Sequence, residues 1–167
     1  YDINADALTR LVDLGASNGQ SCMELSAGCE IVFLSLPSPE VVEHVVLGQS
    51  GLLSQSKKLR YIVDLSTNSP QLSRKISAAA EQVGVNYLDA PVSGGRAGAK
   101  KGTLSVMIGG SASAFEAIKP IILGLGANIF HVGPSGSGSL AKLVNNQIFL
   151  STSIVVQEAF MMGLKAG

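Results

Sequence analysis

The 167-residue chain is 46% hydrophobic and 14% charged, with twelve basic residues offsetting twelve acidic ones. This composition argues against disorder, and the charge balance offers nothing to nucleic acid or an anionic membrane. Lys57–Lys58 and Lys100–Lys101 are isolated pairs, not a basic patch. The length suffices for one domain with its own core and the start of a second.

Tyr1-Asp2-Ile3 reads as the tail of a strand whose beginning lies outside the chain, followed by a helix carrying Leu8, Leu11, Val12 and Leu14. Cys22 and Cys29 have no His cluster beside them and read as free thiols of a reducing compartment, not as metal ligands. No signal-peptide pattern occupies Tyr1 to Arg10. The run Ile31–Leu36 is almost continuously apolar, as in a strand buried on both faces. A helix with Val41, Val42, Val45 and Val46 follows it, then a strand at Tyr61–Leu65 and a helix with Leu72, Ile76, Ala79, Ala80 and Val83. Further strands are expected at Tyr87–Val92, Leu104–Ile108 and Asn128–Val132, with a helix over roughly Ala112–Leu123.

Strands alternating with helices of this length indicate parallel βαβ units and an open α/β sheet, whose ligands bind beyond the carboxyl ends of the strands. Ser38 and Ser69 stand at such ends, where each is either a helix cap or part of a functional rim. From Ser139 to about Ala166 no strand signal appears, so a single long helix is expected, the first of a second, all-helical domain. The division falls at residues 1–135 and 136–167. Lys142, Asn145, Asn146, Gln147, Gln157 and Glu158 make this stretch read as too polar for a membrane span. His44 and His131 lie outside every motif and read as structural or surface residues.

Two segments carry chemistry. Asp89-Ala-Pro-Val-Ser-Gly-Gly95 leads a strand into a glycine-rich turn. Its glycines let the backbone approach a ligand, and successive amides with the Ser93 hydroxyl suit a small carboxylate. The alternative is a plain turn. Gly136-Ser-Gly-Ser-Leu-Ala-Lys142-Leu-Val-Asn145-Asn146 opens the long helix and puts Lys142 and Asn146 on one face. A lysine near a helix start opposes the dipole, and paired asparagines are poor helix formers. Such locally unfavourable choices mark functional positions.

These segments, with Asp64-Leu-Ser-Thr67 before them, resemble the β-hydroxyacid dehydrogenase family, of the 3-hydroxyisobutyrate dehydrogenase and tartronate semialdehyde reductase type, with 6-phosphogluconate dehydrogenase a more distant member. The resemblance runs along essentially the whole chain. It implies a Rossmann-like, mostly parallel sheet flanked by helices, lacking its first βα unit, and a long helix that begins an all-α domain. It implies that Ser93, Gly94 and Gly95 bind the substrate carboxylate, that Lys142 is the general acid/base, and that Asn146, with Asn145 in support, orients the substrate. Leu36 and Pro37 would line the cofactor, with Thr67 near the nicotinamide. Asp2 stands where an acidic residue accepts from the ribose 2′-OH and repels a 2′-phosphate, which favours NAD over NADP.

The expected activity is hydride transfer between NAD(P) and a small β-hydroxy acid or semialdehyde, by a full-length homo-oligomer in the cytoplasm or an organelle matrix. No GxGxxG fingerprint follows any strand here, so the chain by itself is expected to be inactive. A non-catalytic nucleotide-binding or assembly module of the same fold is the alternative. An imine-reductase-like chemistry is disfavoured by the retained Lys142.

Overall fold

The computed structural model describes residues 1–55 and 57–167. Two short helices, α1 (Ala5–Val12) and α2 (Cys22–Gly28), precede the sheet. Strands β1 (Ile31–Leu34), β2 (Tyr61–Asp64) and β3 (Asn86–Asp89) pair in parallel, with Leu34 beside Asp64 and Asp64 beside Asp89. Their crossovers are α3 (Pro39–Leu47) and α4 (Pro70–Gln82). Ser38 and Ser69 are caps: their hydroxyls accept from the Val41 and Leu72 amides at 3.4 and 3.1 Å. Pro39 and Pro70 follow in the first turn, where a missing N–H costs nothing.

The third expected strand divides. Pro91 cannot donate to a ladder, so β3 stops at Asp89 and a two-residue β4 (Val92–Ser93) resumes beyond it. The glycine-rich segment is not only a turn, because α5 (Gly95–Lys101) forms within it. Next come β5 (Ser105–Gly109), α6 (Ala112–Ile122), β6 (Asn128–Gly133) and α7 (Ser137–Ala166). The six-stranded sheet runs β1-β2-β3-β5-β4, with β6 on β5. The sheet is mostly parallel, as expected: β6 is parallel to β5, and the exceptions are the antiparallel pairings of β5 with β3 and β4. A parallel return needs a dozen or more residues, and the link from β4 to β5 is spent on the seven-residue α5. Tyr1–Ile3 are not a strand; they are exposed, without a ladder, and Asp2 instead accepts from the Asn4 amide at 2.8 Å.

One core cluster joins Val32, Leu34 and Ile62 to Val42, Val46 and Ile76 of the crossover helices. The other joins Val63, Leu88, Val106 and Ile108 to Phe115, Ile118 and Ile122 of α6. Each such side chain removed from water contributes about 1.5–3 kcal/mol. His131 stacks on Phe115 at 5.0 Å and meets the Gly110 carbonyl at 2.9 Å through Nε2, a packing role. Cys22 and Cys29 are free, half-buried thiols, and burial pushes the Cys22 thiol up.

Helix α7 is continuous over 30 residues, and Gly163 does not interrupt it. Only Gly138 and Ser139 are buried; Ile148, Phe149, Ile154, Phe160 and Leu164 are exposed. By length and composition it is apolar enough to cross a membrane. The polar residues therefore do not exclude a span, as the sequence had suggested, because the apolar ones outweigh them. The same composition serves a core helix of a soluble protein.

Candidate active site

The site is built on two buried carboxylates at neighbouring strand ends. Asp64 closes β2 and accepts from the Ser66 amide at 2.9 Å, from the Tyr87 hydroxyl at 2.8 Å and from the Asn68 carboxamide. These bonds fold the Ser66-Thr67-Asn68 turn, leaving Thr67 exposed at its apex. The Ser66 hydroxyl in turn accepts from the Leu36 amide at 2.9 Å, tying the loop after β1 to the loop after β2. Burial pushes the Asp64 carboxyl above its ordinary range, against the pull of its hydrogen bonds. Burial, and then the adjacent Asp64, also push the Tyr87 phenol up, so it stays a donor.

Asp89 closes β3 and holds α7. Its two carboxylate oxygens accept from the Gly136 and Ser139 amides, both at 2.8 Å. Amides at a helix start lack intrahelical partners, and the dipole there favours an anion. Burial nonetheless raises the Asp89 carboxyl, with these bonds working in the opposite direction. The glycines of this segment have separate reasons. Gly136 has φ +90°, a left-handed conformation that side chains resist. Gly138 touches the sheet: a Cβ there would overlap the carbonyl oxygens of Asp89 and Met107 and lie 2.8 Å from the Gly109 amide nitrogen. A buried Ser73–Ser139 hydroxyl contact at 2.8 Å fixes the same turn against α4. Lys142 emerges within one turn beyond Ser139.

Ser93, half-buried, ends β4 against Ser105 of β5. Gly94 and Gly95 follow with φ +131° and +61°, a bend that turns the chain into α5. No side chain caps the first amides of α5.

The two segments face each other across one cleft of about 900 Å³. Its walls carry Thr67, Ser93, Gly94, Gly95, Lys142, Asn145 and Asn146, with Val92, Ala99, Leu104 and Phe149 as apolar surface. Every residue expected to touch substrate is there, and so is Thr67. Arg96 also lines it, beyond the sequence expectation, although its place directly after the glycine pair was a signal. Phe149 lines it too, outside the sequence expectation; it stands three residues past Asn146, on the same helix face. Partial burial lowers the Lys142 ammonium below the ordinary lysine range.

Asp2, Leu36 and Pro37 are elsewhere. They share a second groove of about 440 Å³ at the carboxyl end of β1, with Tyr1, Ile3 and Phe33 among its walls. Thr67 therefore parts company with the other residues expected on the cofactor side.

Residues 1–133 match the family model of the NAD binding domain of 6-phosphogluconate dehydrogenase. The chain is 38% identical over all 167 residues to 3-hydroxyisobutyrate dehydrogenase of Pseudomonas aeruginosa, covering 56% of that protein. It is 41% identical over the same length to NAD-dependent L-serine dehydrogenase of that organism, again covering 56% of it. Among solved structures, Mycobacterium tuberculosis 3-hydroxyisobutyrate dehydrogenase with L-serine superposes with a TM-score of 0.91 at 32% identity, over 99% of this chain and 56% of that one. The chain thus spans little more than half the length of the relatives it matches.

Proposed function

The chain belongs to the β-hydroxyacid dehydrogenase family, and we propose that the protein carrying it oxidises a small β-hydroxy acid with a nicotinamide cofactor, or reduces the corresponding semialdehyde. One observation carries this reading: Ser93, Gly94 and Gly95 share a single cleft with Lys142 and Asn146, although far apart in sequence. The domains divide at residues 1–135 and 136–167. The whole protein is a homo-oligomer of a reducing compartment, acting on a small anionic substrate and on neither nucleic acid nor membrane.

The residues present fit a dinucleotide at the groove that Asp2 lines. Asp2 lies exposed at the mouth of the groove formed with Leu36 and Pro37, where one carboxylate oxygen remains for a ribose hydroxyl. When bound, the cofactor supplies the hydride acceptor in oxidation and the hydride donor in reduction.

Ser93 and the Gly94 and Gly95 amides hold the substrate carboxylate. Asn146 fixes the substrate oxygen against Lys142, with Asn145 at the rim. In oxidation the neutral Lys142 amine takes the hydroxyl proton as a hydride leaves the carbon that bears the hydroxyl. In reduction the Lys142 ammonium returns that proton to the carbonyl oxygen. The cleft's apolar surface, Leu104 and Phe149 included, limits the water around the lysine. Turnover of a panel of small β-hydroxy acids by the full-length protein, followed through NADH absorbance, tests the reading; no turnover with any of them would remove it.

The pH dependence has a definite sign. Oxidation needs the neutral amine, so its rate rises with pH through the Lys142 pKa and then levels. Reduction needs the ammonium and falls through the same pKa. Burial lowers that pKa, so both limbs are expected below the ordinary lysine range. Profiles of kcat/KM in the two directions check this, and the absence of opposed limbs would contradict the assignment.

Cofactor choice rests on Asp2. We expect NAD to be preferred, and Asp2→Ala to shift the NADP-to-NAD ratio of kcat/KM by roughly tenfold towards NADP by removing a ribose acceptor and a charge that repels phosphate. An unchanged ratio would take Asp2 out of cofactor selection.

A further inference from the structure

Helix α5 carries three cations, and they are not equivalent. Lys100 and Lys101 occupy its last turn, where the helix dipole favours positive charge. Arg96 occupies its first turn, where the dipole opposes it and no acidic residue is present. Arg96 lines the cleft; Lys100 and Lys101 do not. Ala99, three residues on from Arg96, lines it too, which sets that face of α5 towards the cleft.

The charge of the cleft is one-sided. Its charged side chains are Arg96 and Lys142, both cationic, and its walls include neither aspartate nor glutamate. Among the described residues the salt bridges are Lys75–Glu43 and Lys119–Glu116, so Arg96 enters none. An arginine held against the helix dipole, unpaired and turned to a binding cleft, lacks an anionic partner.

We propose that Arg96 is a specificity-determining residue that binds a second anionic group of the substrate, so that the preferred substrate is a β-hydroxy acid carrying an additional carboxylate or phosphate. This rests on the reading of the cleft as the substrate site. The first carboxylate occupies Ser93, Gly94 and Gly95, and the reacting oxygen faces Lys142. The guanidinium fork then meets the remaining anion in two parallel hydrogen bonds, a geometry an ammonium does not reproduce. No bond is made or broken by Arg96; its contribution is uniform binding, expressed in KM.

The test uses the full-length protein, wild type and with Arg96→Ala or Arg96→Lys. Three ligands share one β-hydroxy acid skeleton: the monoacid, the diacid with a second carboxylate, and the phosphate ester. Calorimetric affinities and steady-state constants are measured for each. The expected result is tighter binding of a dianion than of the monoacid by wild type. Arg96→Ala should raise the Kd and KM of that dianion by about tenfold or more, with kcat nearly unchanged and the monoacid affected less than about twofold. Arg96→Lys should recover part of the loss. The diacid and ester arms decide whether carboxylate or phosphate is the second group. Equal losses for monoacid and dianions would mean that Arg96 serves the shared carboxylate, and would overturn the proposal. Unchanged binding in Arg96→Ala would overturn it as well. Because affinity is read without turnover, an Arg96-dependent preference in a protein that oxidises none of the ligands would sink the catalytic reading alone.

Discussion

Lys142→Ala in the full-length protein is expected to lower kcat by roughly 10²–10⁴-fold, the usual contribution of a positioned acid or base. The loss should appear in both directions of reaction, because the same proton is taken in one and given in the other. KM should move little, since Ser93, Gly94 and Gly95 are untouched. The fold should survive: Lys142 is only half-buried and appears in no salt bridge among the described residues. Steady-state kinetics with a thermal melt separate these effects. Turnover near the wild-type rate would remove Lys142 from the chemistry. A kcat loss accompanied by a lowered Tm would instead assign it to the fold.

Gly138→Ala is expected to destabilise the protein by roughly 3 kcal/mol or more, although it adds a single methyl group. The new Cβ would overlap the carbonyl oxygens of Asp89 and Met107 and press on the Gly109 amide. All three are backbone atoms of β3 and β5, so no side chain can swing aside. Helix α7 would have to lift from the sheet, stretching the bonds from Gly136 and Ser139 to Asp89. Those bonds are charge-assisted, each worth about 1.5–3 kcal/mol, and their loss would leave a carboxylate buried without partners. A thermal or denaturant melt measures the cost. Activity should fall as well, because the displaced turn carries Lys142. Gly163→Ala on the same helix is the control, since its Cβ would meet nothing. Equal stability of the two variants would show that the close approach at Gly138 is not limiting.

The parts of the fold legible in the sequence are those set by local periodicity. The apolar runs of β1, β2 and β5 and the long unbroken pattern of α7 declare themselves by composition. Strand direction does not: the pattern of Ser105–Gly109 is the same whether the chain arrives parallel or antiparallel, and only the short excursion through α5 decides it. Helix α5 itself was hidden because Gly95 and Gly98 lower its propensity, and α2 because its seven residues barely make a pattern.

The site shows the same division. Its motifs announce Ser93, Gly94, Gly95, Lys142 and Asn146, and the cleft brings them together. What the motifs conceal is why Asp89 and Gly138 stand in them. Asp89 bonds to residues 47 and 50 positions away, a relation that no local pattern expresses. Only the folded chain separates the conformational need at Gly136 from the steric need at Gly138. Thr67 could be placed on a strand-end loop from sequence, but its company in the cleft with Ser93 and Lys142 follows from the Asp64 bonds that shape the turn.

The docking of α7 by its amino end has a mechanical consequence. Helix α7 is seated on the sheet at Gly136–Ser139, where the Gly136 and Ser139 amides bond to Asp89. Lys142 stands about 7 Å along the helix from there, at about 1.5 Å per residue. A tilt about that seat therefore moves the backbone at Lys142 less than the backbone further along the helix. The position of Lys142 opposite Ser93–Gly95 is thus set by the Asp89 anchor.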